Sequence, residues 1–131
     1  METTFLENNE SEFTHDECSS VLFKWLSNYN QRIFHKFPLA LLSFPEDFPP
    51  GYLELLLKLH SLPLDLITYG SLALEAGIKN GARAAGSAMR RNPFPLIIPC
   101  HRVVSVSGLG GYTPGAFIKE ELLVHEGLIK R

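Results

Sequence analysis

The sequence predicts an α+β fold that is mainly helical in its C-terminal part. Three observations support this prediction: apolar residues at helical spacing in several segments, a proline-rich break at residues 43–51, and an interrupted apolar stretch at residues 96–104. Of the 131 residues, 45% are apolar and 20% are charged, which is typical of one globular domain with at most a short extension. This composition excludes a wholly disordered chain, and no apolar run approaches the ~20 residues of a membrane-spanning helix.

Residues 1–47 form the first predicted part of the chain. The break at residues 43–51 contains three prolines and a glycine, so neither a helix nor a central strand continues through it. Helical spacing predicts a helix within residues 16–36, with Asp16 as its N-cap. Residues 33–44 add one or two extended segments, which is too little material for a complete sheet domain. The acidic N-terminus lacks the apolar run of a secretory signal, which predicts an intracellular protein.

Residues 48–131 carry the stronger helical signals. The pattern predicts an apolar helix over residues 52–62 and a short helix over residues 69–75, with Thr68 as the N-cap of the second. Gly77 follows as a C-terminal stop signal for that short helix. These two helices begin the predicted C-terminal domain.

A third predicted helix covers residues 81–89, with Asn80 as its N-cap, and is rich in small residues. A helix, a glycine-containing turn and a small-residue helix together predict a helix-turn-helix, although this spacing alone is a weak signal. A glycine-rich loop over residues 105–115 then leads to a last helix over residues 116–126, which ends at Gly127.

The two parts of the chain differ in charge. Residues 1–47 hold three basic and eight acidic residues, a net charge of −5, whereas residues 48–131 hold nine and six, a net charge of +3. Residues 79–102 contain five basic residues and no acidic one. Such a basic stretch can contact phosphates, although the whole chain carries a net charge of −2.

Residues 99–102 place Cys, His and Arg side by side within an apolar stretch. Cys100 is a candidate nucleophile, because the neighbouring His101 can favour its thiolate and the rigid Pro99 can direct it. An inert buried cysteine beside a surface histidine and arginine is an equally good interpretation of the spacing alone. Cys18, the other cysteine, has no partner at metal spacing and is a poor disulfide candidate, so neither a zinc site nor a disulfide is predicted.

Residues 97–104, with the sequence IIPCHRVV, resemble the active-site signature of the O6-alkylguanine-DNA alkyltransferases, also called methylated-DNA–protein-cysteine methyltransferases. Three further segments match that family in the same order: TYGSLA at residues 68–73, ARAAGSAMRRNP at residues 82–93, and the stretch from GGY to HEG at residues 110–127. The resemblance covers residues 48–127. Chance does not explain four separate motifs in the family's order.

The resemblance implies a single-turnover enzyme that transfers the alkyl group of O6-alkylguanine, and also of O4-alkylthymine, irreversibly to Cys100. His101 would act as the base through a water molecule, Glu126 would orient it, and Asn92 would support the turn at the active site. Tyr69 would offer its hydroxyl to the flipped base as guanine leaves. These five residues are the catalytic candidates, and no metal or other cofactor is implied.

The same resemblance implies an apolar pocket for the alkyl group. Met89, Pro95, Tyr112 and Thr113 would line it, and the backbone of Val103 would meet the edge of the base. An apolar wall suits a group that has no hydrogen-bonding capacity.

The resemblance also implies a contact surface for double-stranded DNA that contains O6-alkylguanine. Arg83 would enter the base stack in place of the flipped nucleotide. Lys79 and Arg90 would contact phosphates. The small residues that would let the helix approach the minor groove are Ala82, Ala84 and Gly86. The protein would act as a monomer, away from membranes, in the cytoplasm of a prokaryote or the nucleus of a eukaryote.

The sequence departs from the family in its short N-terminal part. Family members carry a ribonuclease-H-like sheet domain there, so the resemblance implies a reduced α/β version in residues 1–47, before a winged-helix-like domain in residues 48–131. Pro114 stands beside the pocket, where it would stiffen the loop and narrow the pocket for bulky alkyl groups. Two alternatives remain open: a damage-binding protein of the alkyltransferase-like type, and a winged-helix transcription factor. Transfer of an alkyl group to Cys100 separates the leading hypothesis from both.

Overall fold

The computed structural model describes residues 14–112 and 114–130. These residues form a mixed, mainly helical structure with a small two-stranded sheet, and they fall into two compact units that divide between Asp47 and Phe48. Every helix among residues 14–112 and 114–130 is too short or too polar to span a lipid bilayer. Thr113, a predicted pocket residue, lies outside the described residues.

The first unit begins with helix α1, His15–Asn30, whose N-cap is Thr14. Thr14 Oγ1 accepts a hydrogen bond from the N–H of Glu17 at 3.1 Å, and the Thr14 N–H donates to Glu17 Oε1 at 2.7 Å. This reciprocal capping box satisfies two backbone donors at once. The prediction of Asp16 as N-cap is therefore wrong. Asp16 lies in the first turn, where its carboxylate interacts favourably with the positive end of the helix.

Aromatic side chains hold the segment after α1 against that helix. Trp25 stacks on Tyr29 with a centroid distance of 5.6 Å and meets the edge of Phe37 at 6.0 Å. Tyr29 in turn packs against Phe34 at 5.2 Å. The indole N–H of Trp25 donates to the carbonyl of His35 at 2.7 Å, so the polar group of this ring also has a partner.

The rest of the described first unit is irregular. It contains a 3₁₀ helix at Leu39–Leu41, and residues 14–47 contain no β-strand. The extended segments predicted for residues 33–44 therefore do not pair into a sheet within that described range. The ribonuclease-H-like character of this part stays a prediction.

Helix α2, Pro50–Ser61, begins the second unit and confirms the helix predicted over residues 52–62. It starts earlier, at Pro50, because the missing N–H of a proline at N1 has no helical partner to lose. Its buried residues are Leu53, Leu55, Leu56 and Leu59. This apolar helix packs against the later helix Ala82–Arg90.

A short parallel sheet follows. Strand β1, Ile67–Thr68, pairs with strand β2, Val103–Val104, and Ile67 lies opposite Val103. The sequence did not predict this pairing, because two-residue strands leave no period-2 pattern. The sheet ties the chain before the next helix to the chain directly after residues 100–102.

Helix α3, Tyr69–Glu75, begins where β1 ends. Its predicted N-cap is confirmed, because Thr68 Oγ1 accepts a hydrogen bond from the N–H of Ser71 at 3.1 Å. The cap and the strand share Thr68, so the start of α3 is held by the sheet. This places Tyr69, the first residue of α3, next to the segment that carries Cys100.

Helix α4, Ala82–Arg90, has Gly81 as its N-cap, so the prediction of Asn80 as its N-cap is wrong. Asn80 adopts a left-handed conformation with φ of 52° in the turn between α3 and α4. Gly81 is buried, and a Cβ there would lie 2.6 Å from Ile78 Cγ2 and 2.8 Å from the Cβ of Ala73. Only glycine therefore fits this close approach between the turn and α3.

The apolar stretch at residues 96–104 forms turns, a 3₁₀ helix at Cys100–Arg102 and the short strand β2. The last predicted helix is confirmed as helix α5, Ala116–His125. Glu126 is its C-cap, and Gly127 follows in a left-handed conformation with φ of 76°. The end of α5 thereby positions the carboxylate of Glu126.

Candidate active site

A cleft of about 600 Å³ opens in the second unit, and Cys100 contributes to its wall. The predicted catalytic and pocket residues that line this cleft are Tyr69, Met89, Asn92, Pro95, Cys100 and Tyr112. The predicted DNA-contact residues that line it are Ala82, Arg83, Gly86 and Arg90. The cleft therefore brings together residues from α3, α4, the 3₁₀ helix Cys100–Arg102 and the loop before α5.

The other predicted residues lie elsewhere. Lys79 is exposed and Ala84 is half-buried, and neither lines the cleft. His101 and Val103 are fully buried, at 0% exposure, and the Glu126 side chain is 1% exposed. These three residues therefore lie behind the cleft surface.

Cys100 is 5% exposed and is held in place by Asn92. The side-chain amide of Asn92 donates to Cys100 Sγ at 3.2 Å and to the carbonyl of Ile98 at 2.9 Å, while its Oδ1 accepts from the N–H of Phe94 at 2.9 Å. Burial raises the pKa of the Cys100 thiol, and the hydrogen bond from Asn92 and the charge of Lys119 oppose that rise. The thiol therefore needs help to ionise near neutral pH.

His101, Glu126 and Arg102 form a buried cluster behind the thiol. His101 Nε2 lies 2.7 Å from Glu126 Oε2, and Arg102 Nε donates to Glu126 Oε1 at 2.5 Å. Arg102 therefore pairs with a buried carboxylate. When Nε2 carries the proton that Glu126 accepts, Nδ1 is a free acceptor. Among the described residues, no group forms a hydrogen bond with that buried Nδ1.

Tyr69 faces the loop on the other side of the cleft. Its hydroxyl donates to the carbonyl of Gly111 at 3.3 Å, and burial raises its pKa. Gly110 has a φ of +81°, and a Cβ there would lie 3.0 Å from the Tyr69 ring. Glycine at this position therefore allows the loop to lie directly against the tyrosine.

Tyr112 packs at the edge of the same site. Its ring centroid lies 6.4 Å from that of His101, with the two rings nearly perpendicular. Burial raises the pKa of Tyr112 to about 12, and the charges of Cys100 and Glu126 act in the same direction. Its phenol is therefore neutral at physiological pH and presents a ring to the cleft.

Lys119 is a buried member of the site that the sequence analysis gave no role. It is 0% exposed, and its ammonium donates to the carbonyls of Val103 at 2.7 Å and Gly111 at 3.1 Å. Burial lowers its pKa to about 8. Helical spacing could have predicted this burial. Lys119 lies four residues before Leu123, which is fully buried, so the two side chains share one face of α5.

Basic side chains lie at the mouth of the cleft. Arg83 and Arg90 are exposed and line it, and Arg90 donates to Ser87 Oγ at 3.2 Å within α4. Arg91 lies over the Tyr52 ring, 5.7 Å from its centroid. The exposed arginines of α4 can therefore meet an anionic polymer while the thiol stays at the cleft wall.

Known sequences agree with this geometry. A family model described as "6-O-methylguanine DNA methyltransferase, DNA binding domain" matches residues 63–128. The chain is 44% identical over 110 residues to the Homo sapiens methylated-DNA–protein-cysteine methyltransferase, an alignment that covers 79% of this chain and 53% of that protein. It is 54% identical over 63 residues to the protein of the same name from Thermococcus barophilus, covering 48% of this chain and 35% of that protein. The chain thus spans about half the length of the human relative.

Solved structures agree as well. The structure of Mycobacterium tuberculosis OGT in complex with DNA superposes with a TM-score of 0.73 at 29% identity, covering 82% of this chain and 65% of that one. The structure of Mycobacterium tuberculosis O6-methylguanine methyltransferase superposes with a TM-score of 0.70 at 28% identity, covering 85% and 67%. The fold, the arrangement around Cys100 and the family match at residues 63–128 agree, and the chain belongs to the 6-O-methylguanine DNA methyltransferase family.

Proposed function

We propose that this protein repairs double-stranded DNA by transferring the alkyl group of O6-alkylguanine, and of O4-alkylthymine, irreversibly to Cys100. The observation that carries the proposal is the position of Cys100. Its side chain lies on the cleft wall, accepts a hydrogen bond from Asn92 at 3.2 Å, and is followed directly by the buried His101. A thiol, an adjacent imidazole and a carboxylate that orients the imidazole are the parts of an activated nucleophile.

The proposal assigns the two parts of the chain different tasks. Residues 48–131 form the DNA-binding and alkyl-acceptor domain, with the winged-helix-like arrangement expected from the family. Residues 1–47 form a shortened, ribonuclease-H-like N-terminal domain. The division of the described residues between Asp47 and Phe48 supports this assignment, as does the location of every proposed catalytic group in the second unit.

The first proposed step is removal of the thiol proton. Burial disfavours the thiolate of Cys100, so a base must act before the thiol becomes a nucleophile. His101 takes this proton at Nδ1 through a bridging water molecule, while Glu126 holds Nε2 and stabilises the imidazolium that forms. The buried Nδ1, which has no hydrogen-bond partner among the described residues, supports this role.

The second step is displacement at the alkyl carbon. The thiolate electron pair forms the S–C bond as the C–O6 bond breaks, and the departing pair stays on guanine O6. Tyr69 stabilises the guanine anion by turning its hydroxyl from Gly111 to the base, near N3. The thioether on Cys100 does not return to a thiol in water, so each protein molecule acts once.

The alkyl group sits in an apolar pocket in this proposal. Met89, Pro95 and Tyr112 line the cleft beside Cys100. The proposal also assigns the backbone of Val103, which is buried behind the cleft surface, to the edge of the base. Thr113, also assigned to this pocket, lies outside the described residues. Pro114 lines the cleft too, which supports a pocket that is narrowed for bulky alkyl groups.

The DNA approaches the surface of α4. Arg83 replaces the flipped nucleotide in the stack, and Lys79 and Arg90 contact phosphates, so binding is salt-dependent and independent of sequence. The small residues that let α4 enter the minor groove are Ala82, Ala84 and Gly86. The protein acts as a monomer, in the cytoplasm of a prokaryote or the nucleus of a eukaryote, where DNA lies.

The test is a transfer assay with a duplex oligonucleotide that contains O6-methylguanine. We expect one methyl mass on the Cys100 peptide, in a one-to-one ratio with protein, by peptide mass spectrometry. Cys18→Ala is the matched control and should transfer normally, because Cys18 lies on α1 in the first unit. Cys100→Ala should bind the lesion without removing the methyl group. An unmodified Cys100 and an intact lesion after long incubation would contradict the proposal and favour a damage-binding protein.

A further inference from the structure

Helix α4 contains two consecutive residues that are poor helix formers. Gly86 and Ser87 lie inside the alanine-rich helix Ala82–Arg90. Glycine and serine both favour the helical conformation less than alanine does. Neither residue ends the helix, because α4 continues to Arg90. The presence of this pair therefore needs an explanation other than the stability of α4.

Both residues lie against the guanidinium of Arg90, one turn further along α4. Arg90 Nη2 donates a hydrogen bond to Ser87 Oγ at 3.2 Å. Nη1 lies over Gly86, 3.8 Å from the position that a Cβ would occupy there. Arg90 thus folds back towards the start of the helix, as long helical side chains do, and covers the backbone of Gly86. A larger side chain at residue 86 would compete for this place.

The hydroxyl of Ser87 sets the direction of this arginine. Arg90 is exposed and is the last residue of α4, where a cation commonly interacts with the free carbonyls of the helix end. The hydrogen bond to Ser87 directs it to the preceding turn instead, and Arg90 lines the cleft together with Gly86. A hydroxyl is a neutral acceptor, so the positive charge of Arg90 stays available for an anion.

The charge of Arg90 acts on Tyr69, which lines the same cleft. Burial raises the pKa of the Tyr69 phenol, a thiolate on Cys100 adds to that rise, and the charge of Arg90 opposes it. An arginine without a hydrogen bond samples many rotamers, and fixing it in one of them has an entropic cost. The bond to Ser87 places the charge near the phenol before any ligand arrives.

We propose that Ser87 is a positioning residue that holds the Arg90 guanidinium over Gly86 at the mouth of the cleft, near Tyr69. There the arginine meets a DNA phosphate, and its charge favours the anion that Tyr69 stabilises as guanine leaves. For these two tasks the inference rests on the proposed function. The placement of Arg90 by Ser87 is independent of DNA and is tested without it.

The first measurement is made on the free protein. Arginine side-chain NMR gives the rate of rotation about the Nε–Cζ bond of Arg90, whose signal is assigned by its loss in Arg90→Ala. A hydrogen bond at Nη2 slows this rotation, so it should be several-fold faster in Ser87→Ala and unchanged in Ser87→Thr, which keeps the hydroxyl. Alanine is the better helix former, so Ser87→Ala retains α4. An unchanged rotation rate in Ser87→Ala overturns the inference.

The second measurement is the affinity for an undamaged duplex, determined by fluorescence anisotropy in a double-mutant cycle. Ser87→Ala should weaken binding about threefold, because Arg90 must then be ordered as the complex forms. In an Arg90→Ala background the same change should have no effect, because Ser87 acts through the arginine. Ser27→Ala is the matched control. It removes a similar contact on α1, where Gln31 Nε2 donates to Ser27 Oγ at 3.4 Å, and should leave the affinity unchanged.

Two results of this cycle would contradict the inference. Equal weakening by Ser87→Ala with and without Arg90 would show that Ser87 does not act through the arginine. Native affinity in Ser87→Ala would show that the hydroxyl does not prepare Arg90 for DNA. A native protein that fails to transfer the methyl group, although rotation of Arg90 is faster in Ser87→Ala, would contradict the proposed function alone.

Discussion

The two units of this chain bury their helices to very different extents. Helix α1 of the first unit, His15–Asn30, contains no fully buried residue, whereas helix α2 of the second, Pro50–Ser61, buries four leucines. Among the described residues, the buried polar side chains follow the same division, because His101, Arg102 and Lys119 all belong to the second unit. Precise chemistry needs side chains that cannot move, and buried packing supplies that restriction. The comparison therefore explains why every proposed catalytic group lies in the second unit.

The largest expected contrast is in stability. Leu56→Ala should lower the free energy of unfolding by about 3 kcal/mol, because Leu56 is 0% exposed and its removal leaves a cavity. Leu26→Ala, the same change on α1, should cost less than about 0.5 kcal/mol, because Leu26 is 41% exposed. Urea unfolding measures both values. Equal losses of unfolding free energy in the two variants would contradict the difference in burial between α1 and α2.

The next contrast concerns the buried charge cluster. Glu126→Gln keeps the shape of the side chain but removes the charge that holds His101 and Arg102, so the methyl transfer rate should fall about a hundredfold. Single-turnover kinetics on O6-methylguanine DNA measure the rate. Glu120→Gln, on the less buried face of α5, is the matched control and should transfer at the native rate. A normal rate in Glu126→Gln would remove Glu126 from the mechanism.

A smaller contrast is expected in DNA binding. Arg90→Ala should weaken binding to an undamaged duplex several-fold and reduce the slope of affinity against salt by about one unit, because one phosphate contact is lost. Arg32→Ala removes the same charge from the acidic first unit and should change neither quantity. Fluorescence anisotropy at several salt concentrations measures both. Similar effects of the two changes would show that net charge, rather than the α4 surface, drives binding.

The last contrast concerns pH. The pKa of Lys119 is about 8 when folded and 10.5 ordinarily, so between these values the unfolded chain holds a proton that the folded chain has released. Stability of the native protein relative to Lys119→Met should therefore rise from pH 8 towards pH 10.5. Cys100 and Tyr69 face the same ammonium, and removal of its charge raises the pKa of the Cys100 thiol further, which acts on the difference in the same direction. Urea unfolding at pH 8 and at pH 10.5 measures this stability difference. A difference that falls with pH would contradict the lowered pKa of Lys119. Lys58→Met controls for the loss of one positive charge.

Local signals in the sequence predicted several elements correctly. Thr68 caps α3 as predicted, because a hydroxyl that bonds to an N–H three residues ahead requires nothing from the rest of the fold. Two cap predictions were wrong for reasons that also become visible in the structure. Thr14 forms a capping box with Glu17 that Asp16 does not form. Asn80 lies in the left-handed turn before α4, so Gly81 is the N-cap, and close packing on Ala73 requires glycine there.

In the candidate site too, some residues can be predicted from short motifs and others cannot. Cys100 and His101 are neighbours in the chain, so a motif of a few residues is enough to mark the nucleophile and its base. Asn92 lies eight residues before Cys100, and a single turn brings its amide to the sulfur. The contact between His101 and Glu126 spans 25 residues. The family resemblance assigned Glu126, whereas spacing alone did not single it out.

Local preference and composition were enough to predict the helices, the boundary at residues 43–51, the charge difference between the two parts and the motif around Cys100. Three features appear only in the folded structure: the pairing of β1 with β2, the contacts of Glu126 with both His101 and Arg102, and the burial of Lys119. The physical reason is that burial and pairing depend on residues far apart in the chain. From sequence alone, a lysine is predicted to be solvent-exposed. The packing around Lys119 shows that its side chain is buried.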